Sequence, residues 1–370
     1  MNIEYDAIIV GARIAGGIVA TMLARQGYRV LVLDRARFPS DSLSTHFFRS
    51  PTFKALQRVG IFDDVLRQAP RLVNNFNDLD GGVFTEPVTD SEGPSYYLCV
   101  RRITLDTLLF ERMREEKHVT VREGATVTGV ISEGGRVTGV KWREGEKEHK
   151  TSARVVIGAD GVRSVVAAGV NPTVEHFEPV RRAMYYGYFR GLDLSPGPAA
   201  EFHFRGNRLV YVFPTDGNLT LVASSIPIGD FETYKKNLPA SFAAEVNMMP
   251  ELKPRFTKAE QVGPLMGSAA IPGYRKVPFG EGWALAGDAE QVMDPWSGQG
   301  IDQASTHATM LAEGLLKWFS GSSVWTEAMT EYHGRRNDFS VKTYERTCMI
   351  ARDLRRLTGP ALKKRGLAKE

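Results

Sequence analysis

A short strand that turns on glycine into a helix constrains this chain more than any other feature. Tyr5 to Val10 is β-branched and aliphatic, which suits a buried parallel strand, and an apolar-periodic helix follows from about Ala15 to Gln26. Tyr28 to Leu33 predicts a second strand that ends on Asp34. Strand, glycine turn, helix and strand form a dinucleotide-binding unit. Its helix N-terminus offers free N–H groups and a positive dipole to a pyrophosphate, and its terminal carboxylate accepts ribose hydroxyls. The candidate contacts are Gly11, Ala12, Arg13, Ile14, Ala15, Gly16, Asp34 and Arg35, with Asp34 favouring an unphosphorylated ribose. Arg13 stands where the middle glycine of G-x-G-x-x-G lets the backbone approach the phosphates. Its guanidinium either lies on a phosphate oxygen or turns outward to a surface ion pair, and both readings stay open.

A second glycine-anchored segment lies near the other end of the chain. Gly282 to Ala286 reads as a buried strand that delivers Gly287-Asp288-Ala289, and the chain continues through Pro295 to Gly298-Gln299-Gly300. Ile301 to Trp318 then predicts a helix with Ile301, Ala304, Ala308, Leu311, Leu315 and Trp318 along one face. A carboxylate at a strand end, a glycine-rich turn and a helix N-terminus make a second polar cradle. In an open α/β sheet such cradles gather at the carboxyl ends of the strands. An extended two-part ligand needs both, so the pair implies FAD. Between them, Val155 to Gly158 runs into Ala159-Asp160-Gly161, a third short turn with a carboxylate.

These three elements, in this order, resemble the group A flavoprotein monooxygenases related to p-hydroxybenzoate hydroxylase, and more narrowly a bacterial branch of FAD-dependent oxidoreductases. Phe38-Pro39-Ser40-Asp41-Ser42-Leu43-Ser44-Thr45-His46, Arg101-Arg102-Ile103-Thr104-Leu105-Asp106 and Asp294-Pro295 also carry the likeness, which spans nearly the whole chain. The resemblance implies Gly11, Arg13 and Gly16 at the pyrophosphate and Asp34 at the adenosine ribose. It implies Arg49 and Arg102 near the phosphates and ribityl chain, and Asp288 on the ribityl hydroxyls. Pro295, Gly298, Gln299, Gly300 and Ile301 would line the flavin ring, where a helix N-terminus stabilises negative charge on the reduced ring. Two positions depart from the pattern. Ala167 stands where an arginine usually follows the Asp160 turn, and Asp302 lies one residue beyond a position that is often Asn. Asp160 is therefore both a cofactor candidate and a structural one.

The fold class implied is α/β: a Rossmann-like FAD-binding domain with an interleaved antiparallel β-sheet domain for substrate. The flavin domain is expected to comprise 1–72, 98–172 and 280–370, and the substrate domain 73–97 and 173–279. At 370 residues and 42% hydrophobic, the chain is long enough for two domains. Met184 to Phe189, Glu201 to Phe204, Leu209 to Phe213 and Leu219 to Ser224 read as short strands carrying Tyr185, Tyr186, Tyr188, Phe189, Phe202, Phe204, Tyr211 and Phe213. Alternate residues of such strands face a pocket, and the alternation alone leaves open which set does.

A net charge of +4 gives no footprint for nucleic acid. The basic C-terminal residues Arg352, Arg355, Arg356, Lys363, Lys364 and Arg365 are expected to be a solvated helix end and frayed terminus rather than a membrane contact. No apolar run is long enough to span a bilayer, and no basic and apolar leader precedes the first strand, so a cytoplasmic protein is expected. Cys99 and Cys348 offer no metal spacing. His46 follows the loop that the resemblance places beside the flavin. It is the one candidate for proton transfer, a ring contact or a covalent flavin link, against the alternative of ordering its loop. Pro295 is a candidate through the ring environment, and His307 is expected to be structural.

The leading functional expectation is a monooxygenase that uses NADH or NADPH and dioxygen to hydroxylate or epoxidise a small aromatic or polyketide-like molecule through a flavin C4a-hydroperoxide. A prenyl-reductase type of enzyme acting on a lipid-like chain is the second. A non-catalytic or electron-transfer flavoprotein is the third. Halogenation is less favoured, because neither a Trp-x-Trp-x-Ile-Pro segment nor a convincing lysine is present. Oligomeric state is not legible.

Overall fold

The computed structural model describes residues 3–90 and 93–367. A parallel sheet runs in the order Trp283–Leu285, Lys147–Gly158, Tyr5–Val10, Val30–Asp34, Val119–Glu123, with Phe279–Gly280 antiparallel at one edge. Three distant stretches of chain thus supply one sheet, and Ala7 pairs with both Val30 and Val155. The strands are apolar on both faces because both are covered. On one side the helices Ile14–Arg25, Arg102–Arg114 and Gly300–Phe319 pack Ile18, Leu23, Leu109, Leu311 and Leu315 over Ile9 and Ile157. On the other, an antiparallel meander of Ala125–Glu133, Arg136–Glu144 and the first half of Lys147–Gly158 covers Ile8, Leu31 and Val156 with Val140 and Trp142. Gly134 and Gly135 form the tight turn of that meander.

A seven-stranded sheet runs Glu260–Ser268, Arg182–Arg190, Thr220–Pro227, Arg208–Pro214, Ala199–Arg205, Asn74–Leu79, Gly82–Pro87. Only Ala199–Arg205 and Asn74–Leu79 pair in parallel. The four strands expected from the aromatic pattern are all present, each longer by one to several residues. One face packs Tyr186, Tyr188, Phe204, Tyr211 and Phe213 toward Phe47, Cys99, Ile350 and Leu354. The other packs Phe189, Val210, Val212 and Val222 against Phe242, Val246 and Leu252. Tyr185 belongs to that outer side and stacks on Phe231 at 6.0 Å. The inner set is therefore Tyr186, Tyr188, Phe202, Phe204, Tyr211 and Phe213.

Two features join the sheets. Asp216, in the loop after Arg208–Pro214, accepts from the backbone N–H of Arg101 at 2.8 Å and from Thr104 Oγ1 at 2.6 Å. The helix Trp325–Ala351 buries Met329 and Tyr332 in the first core and Ile350 in the second. The basic C-terminal helix Arg355–Lys364 lays Leu357, Ala361 and Leu362 on the second core, and Arg365 pairs with Glu86. It is docked rather than frayed, because its apolar face has a partner. Among the described residues no helix is long and apolar enough to cross a membrane, and no group of His, Cys, Asp or Glu could hold a metal ion.

Candidate active site

The two glycine segments meet. A Cβ on Gly11, whose φ is +103°, would lie 2.3 Å from the Ala159 carbonyl oxygen, and one on Gly16 would lie 1.8 Å from the Gly11 carbonyl oxygen. Neither position admits a side chain, so the turn brings helix and strands as close as backbone allows. Gly287 rests on the same helix, with its Cβ position 3.1 Å from the Ala15 side chain. Tyr274 secures the second turn by donating its hydroxyl to the Asp288 carbonyl at 2.5 Å. No side chain caps the helix that starts at Ile14 or the one that starts at Gly300, so the first-turn N–H groups of both keep their capacity for a ligand.

The acidic residues divide by what they touch. Asp34 accepts the Ala12 N–H on Oδ2 and the Ala36 N–H on Oδ1, both at 2.8 Å. It braces the glycine turn and retains lone pairs for a ribose. Asp288 is exposed, yet the surrounding protein displaces enough water to push its carboxyl up to about 6, with Arg102 pulling it back. Asp160 packs its backbone against Gly11. Its Oδ2 accepts the N–H of Val165 at 2.7 Å at the start of the short helix Val165–Val170, and burial raises its pKa. Asp294 accepts the Trp296 N–H at 3.1 Å at the head of the Pro295–Ser297 turn, and burial pushes it up to about 6.

The basic residues are held by carboxylates that the sequence does not pair with them. Asp106, fully buried, receives Arg13 at 2.6 Å and Arg102 at 2.9 Å. Arg13 also donates to Ser40 and to the Asp41 carbonyl, so it ties the 38–46 loop to the head of the helix. This is a semi-buried ion pair rather than a surface one. Arg49 donates through Nε to Asp302 at 2.7 Å, and the Arg49 N–H and Thr52 hydroxyl bind the other Asp302 oxygen. This pair sits under the Gly298–Gly300 turn. Asp302 thereby has a structural task that explains a carboxylate at its position. Arg35 is exposed beyond Asp34, and Gln299, partly exposed, immediately precedes the Gly300 helix whose buried Ile301 enters the core.

His46 is enclosed, with a φ of +59°. The Arg102 backbone N–H donates to His46 Nδ1 at 3.2 Å, and His46 Nε2 lies 2.7 Å from the Tyr188 hydroxyl. A backbone amide can only donate, so Nδ1 carries no proton and Nε2–H donates to Tyr188. Burial, reinforced by Arg102, pushes His46 down to about 3 and keeps the ring neutral. Both nitrogens are committed within the protein, so a bond from either to a flavin methyl would first break one of these contacts. The ring orders its loop, Arg102 and Tyr188. His307 binds the buried Glu290 at 2.7 Å, which also receives the Tyr332 hydroxyl, and it is structural as expected. Burial pushes the Cys348 thiol up to about 11 and raises that of Cys99 further, which makes both poor nucleophiles.

Beside the Pro295–Gln299 turn lies a cavity of about 350 Å³. Phe47, Tyr97, Phe202, Phe213 and Trp296 form its apolar wall, with Phe47 and Phe213 stacked at 4.9 Å. Trp296 is fixed by donating Nε1–H to the Thr347 carbonyl at 3.1 Å. Phe47, Tyr97 and Trp296 come from segments that carry no aromatic periodicity, so only the folded chain reveals them as one wall.

Two close-packed glycines, two uncapped helix ends and carboxylates at the ends of two strands are the parts that an adenine dinucleotide bearing a flavin needs. Residues 4–244 match the family described as FAD binding domain. The chain belongs to this family. A digeranylgeranylglycerophospholipid reductase of Methanosarcina acetivorans is 25% identical to this flavoprotein, with 94% of this chain and 85% of the relative covered. A kynurenine 3-monooxygenase of Salinispora arenicola is 27% identical, over 83% and 72%. The myxobacterial chondrochloren halogenase CndH shares the fold of the flavoprotein, with a TM-score of 0.83 and 22% identity over 92% of this chain and 81% of that one. Three chemistries by name share one fold, so the fold by itself does not choose the reaction.

Proposed function

We propose that this flavoprotein is a monooxygenase that takes electrons from NADH or NADPH and places one oxygen atom of dioxygen on a small, flat, largely apolar molecule, by hydroxylation or epoxidation. The aromatic-walled cavity at the Pro295–Gln299 turn carries the reading. Its volume is at the lower end for a drug-sized ligand and suits one or two rings better than a pair of long isoprenoid chains. The parallel sheet with its helices would hold the cofactor and the seven-stranded sheet the substrate.

FAD, when bound, supplies two-electron chemistry and, with dioxygen, an electrophilic oxygen. Gly11, Ala12 and Gly16 with the Ile14 helix would receive the pyrophosphate, and Asp34 the adenosine ribose. Asp288 would accept from the ribityl hydroxyls, with Arg102 balancing its charge. Pro295, Gly298 and the Gly300 helix N-terminus would bound the ring and favour negative charge there. Phe47, Phe202 and Phe213 orient a flat substrate and exclude water from it. His46 holds its proton on Nε2 against Tyr188 and takes no part in proton transfer at ordinary pH.

The test is NAD(P)H consumption by the FAD-loaded protein with and without oxygen, across single-ring and two-ring aromatic compounds. Oxygen-dependent consumption coupled to an oxygenated product is expected. Saturation of an isoprenoid double bond without oxygen would instead establish the reductase reading. Flavin reduction that no small molecule accelerates would favour electron transfer to a protein.

A further inference from the structure

We infer that the substrate bears a carboxylate on its flat apolar body and that Arg346 reads that group; this rests on the cavity being the substrate site proposed above. Two guanidinium groups, Arg49 and Arg346, line the cavity, and no Asp or Glu does. Arg49 is neutralised by Asp302 at 2.7 Å. Arg346 makes no hydrogen bond or ion pair among the described residues, and it is exposed at the cavity margin on the helix Trp325–Ala351. Thr343 and Thr347, one helical turn apart, flank it on the same wall.

The cavity therefore has an aromatic interior and a single uncompensated positive charge at its edge. A neutral aromatic compound would leave that charge unused, and a cationic one would be repelled by it. A carboxylate matches the planar donor fork of arginine, and the threonine hydroxyls can take its remaining lone pairs. Because Arg346 makes no polar contact among the described residues, its role as a specificity determinant can be separated from stability.

The experiment is calorimetric titration of the FAD-loaded protein with 2-naphthoate and with its neutral isostere 2-naphthamide at low salt. The wild type is expected to prefer the carboxylate by about tenfold, the scale of one charge-assisted hydrogen bond. Arg346→Gln should abolish the preference and leave amide binding unchanged, and Arg346→Lys should keep part of it. Equal affinities in the wild type, or a preference that survives Arg346→Gln, would overturn the carboxylate inference and leave the aromatic cavity standing. Binding of neither compound would overturn both.

Discussion

Individual side chains at the site act through their surroundings more than through their chemical type. His46 is a histidine that does not titrate near neutrality, because the Arg102 N–H takes one nitrogen and Tyr188 the other. Its backbone is in the left-handed region, which asparagine tolerates and β-branched residues do not. His46→Asn should therefore retain an acceptor for Arg102 and lose about 1 kcal/mol or less, whereas His46→Val should lose about 3 kcal/mol or more, as read by urea denaturation. Asp294 gives a pH test. Its folded pKa of about 6 lies above the ordinary carboxyl value, so the native state binds the proton more tightly than the unfolded chain. Its contribution to stability is greatest at low pH, falls as pH rises toward about 6, and is constant beyond. Asp294→Asn keeps the cap on Trp296 and removes the buried charge. In FAD-free protein the variant should match the wild type near about pH 4 and exceed it by on the order of 2 kcal/mol near neutrality. A gap that does not change with pH would refute the assignment. Asp34 and Asp288 were legible as candidates because each lies at or just after the end of a strand beside a glycine turn. Asp106 was quoted only as the end of the Arg101–Asp106 segment, and nothing in the sequence tied it to Arg13, some ninety positions earlier.

At the level of elements, the glycine turn is the least replaceable part. A methyl on Gly16 would overlap the Gly11 carbonyl, so Gly16→Ala should lower stability by about 2 kcal/mol or more and release FAD on gel filtration. Gly334, an exposed helical glycine whose Cβ position meets nothing within 4 Å, is the matched control and should bind FAD after substitution by alanine. The elements beside the two glycine segments and the four aromatic strands were legible to within a few residues, since period and turn residues are local, whereas the long helix Trp325–Ala351 was not assigned. The inward face of the aromatic sheet was not. Met184, Tyr186 and Tyr188 alternate with Ala183, Tyr185 and Phe189, and both sets are apolar because a helical layer covers the outer face. Alternation reveals a face only when the other one meets water.

For the whole molecule, the interleaving of segments makes the two sheets depend on one helix. Trp325–Ala351 fills both cores, so a chain ended at Gly321 should fail to give a cooperative thermal transition or to retain flavin. The intact protein should gain about 2.7 kcal/mol, seen as a rise in Tm, when free FAD is at a hundred times its Kd. By itself the sequence determined the class of fold, the FAD-binding family and the placing of carboxylates at the ends of two strands, because glycine turns, strand composition and helix periodicity express short-range sterics. Tertiary structure alone decided the partners of Arg13 and Arg49, the silence of His46, and the wall and charge of the cavity. Each of those depends on which distant segments are packed together, and burial and electrostatic pairing follow from that proximity rather than from residue type.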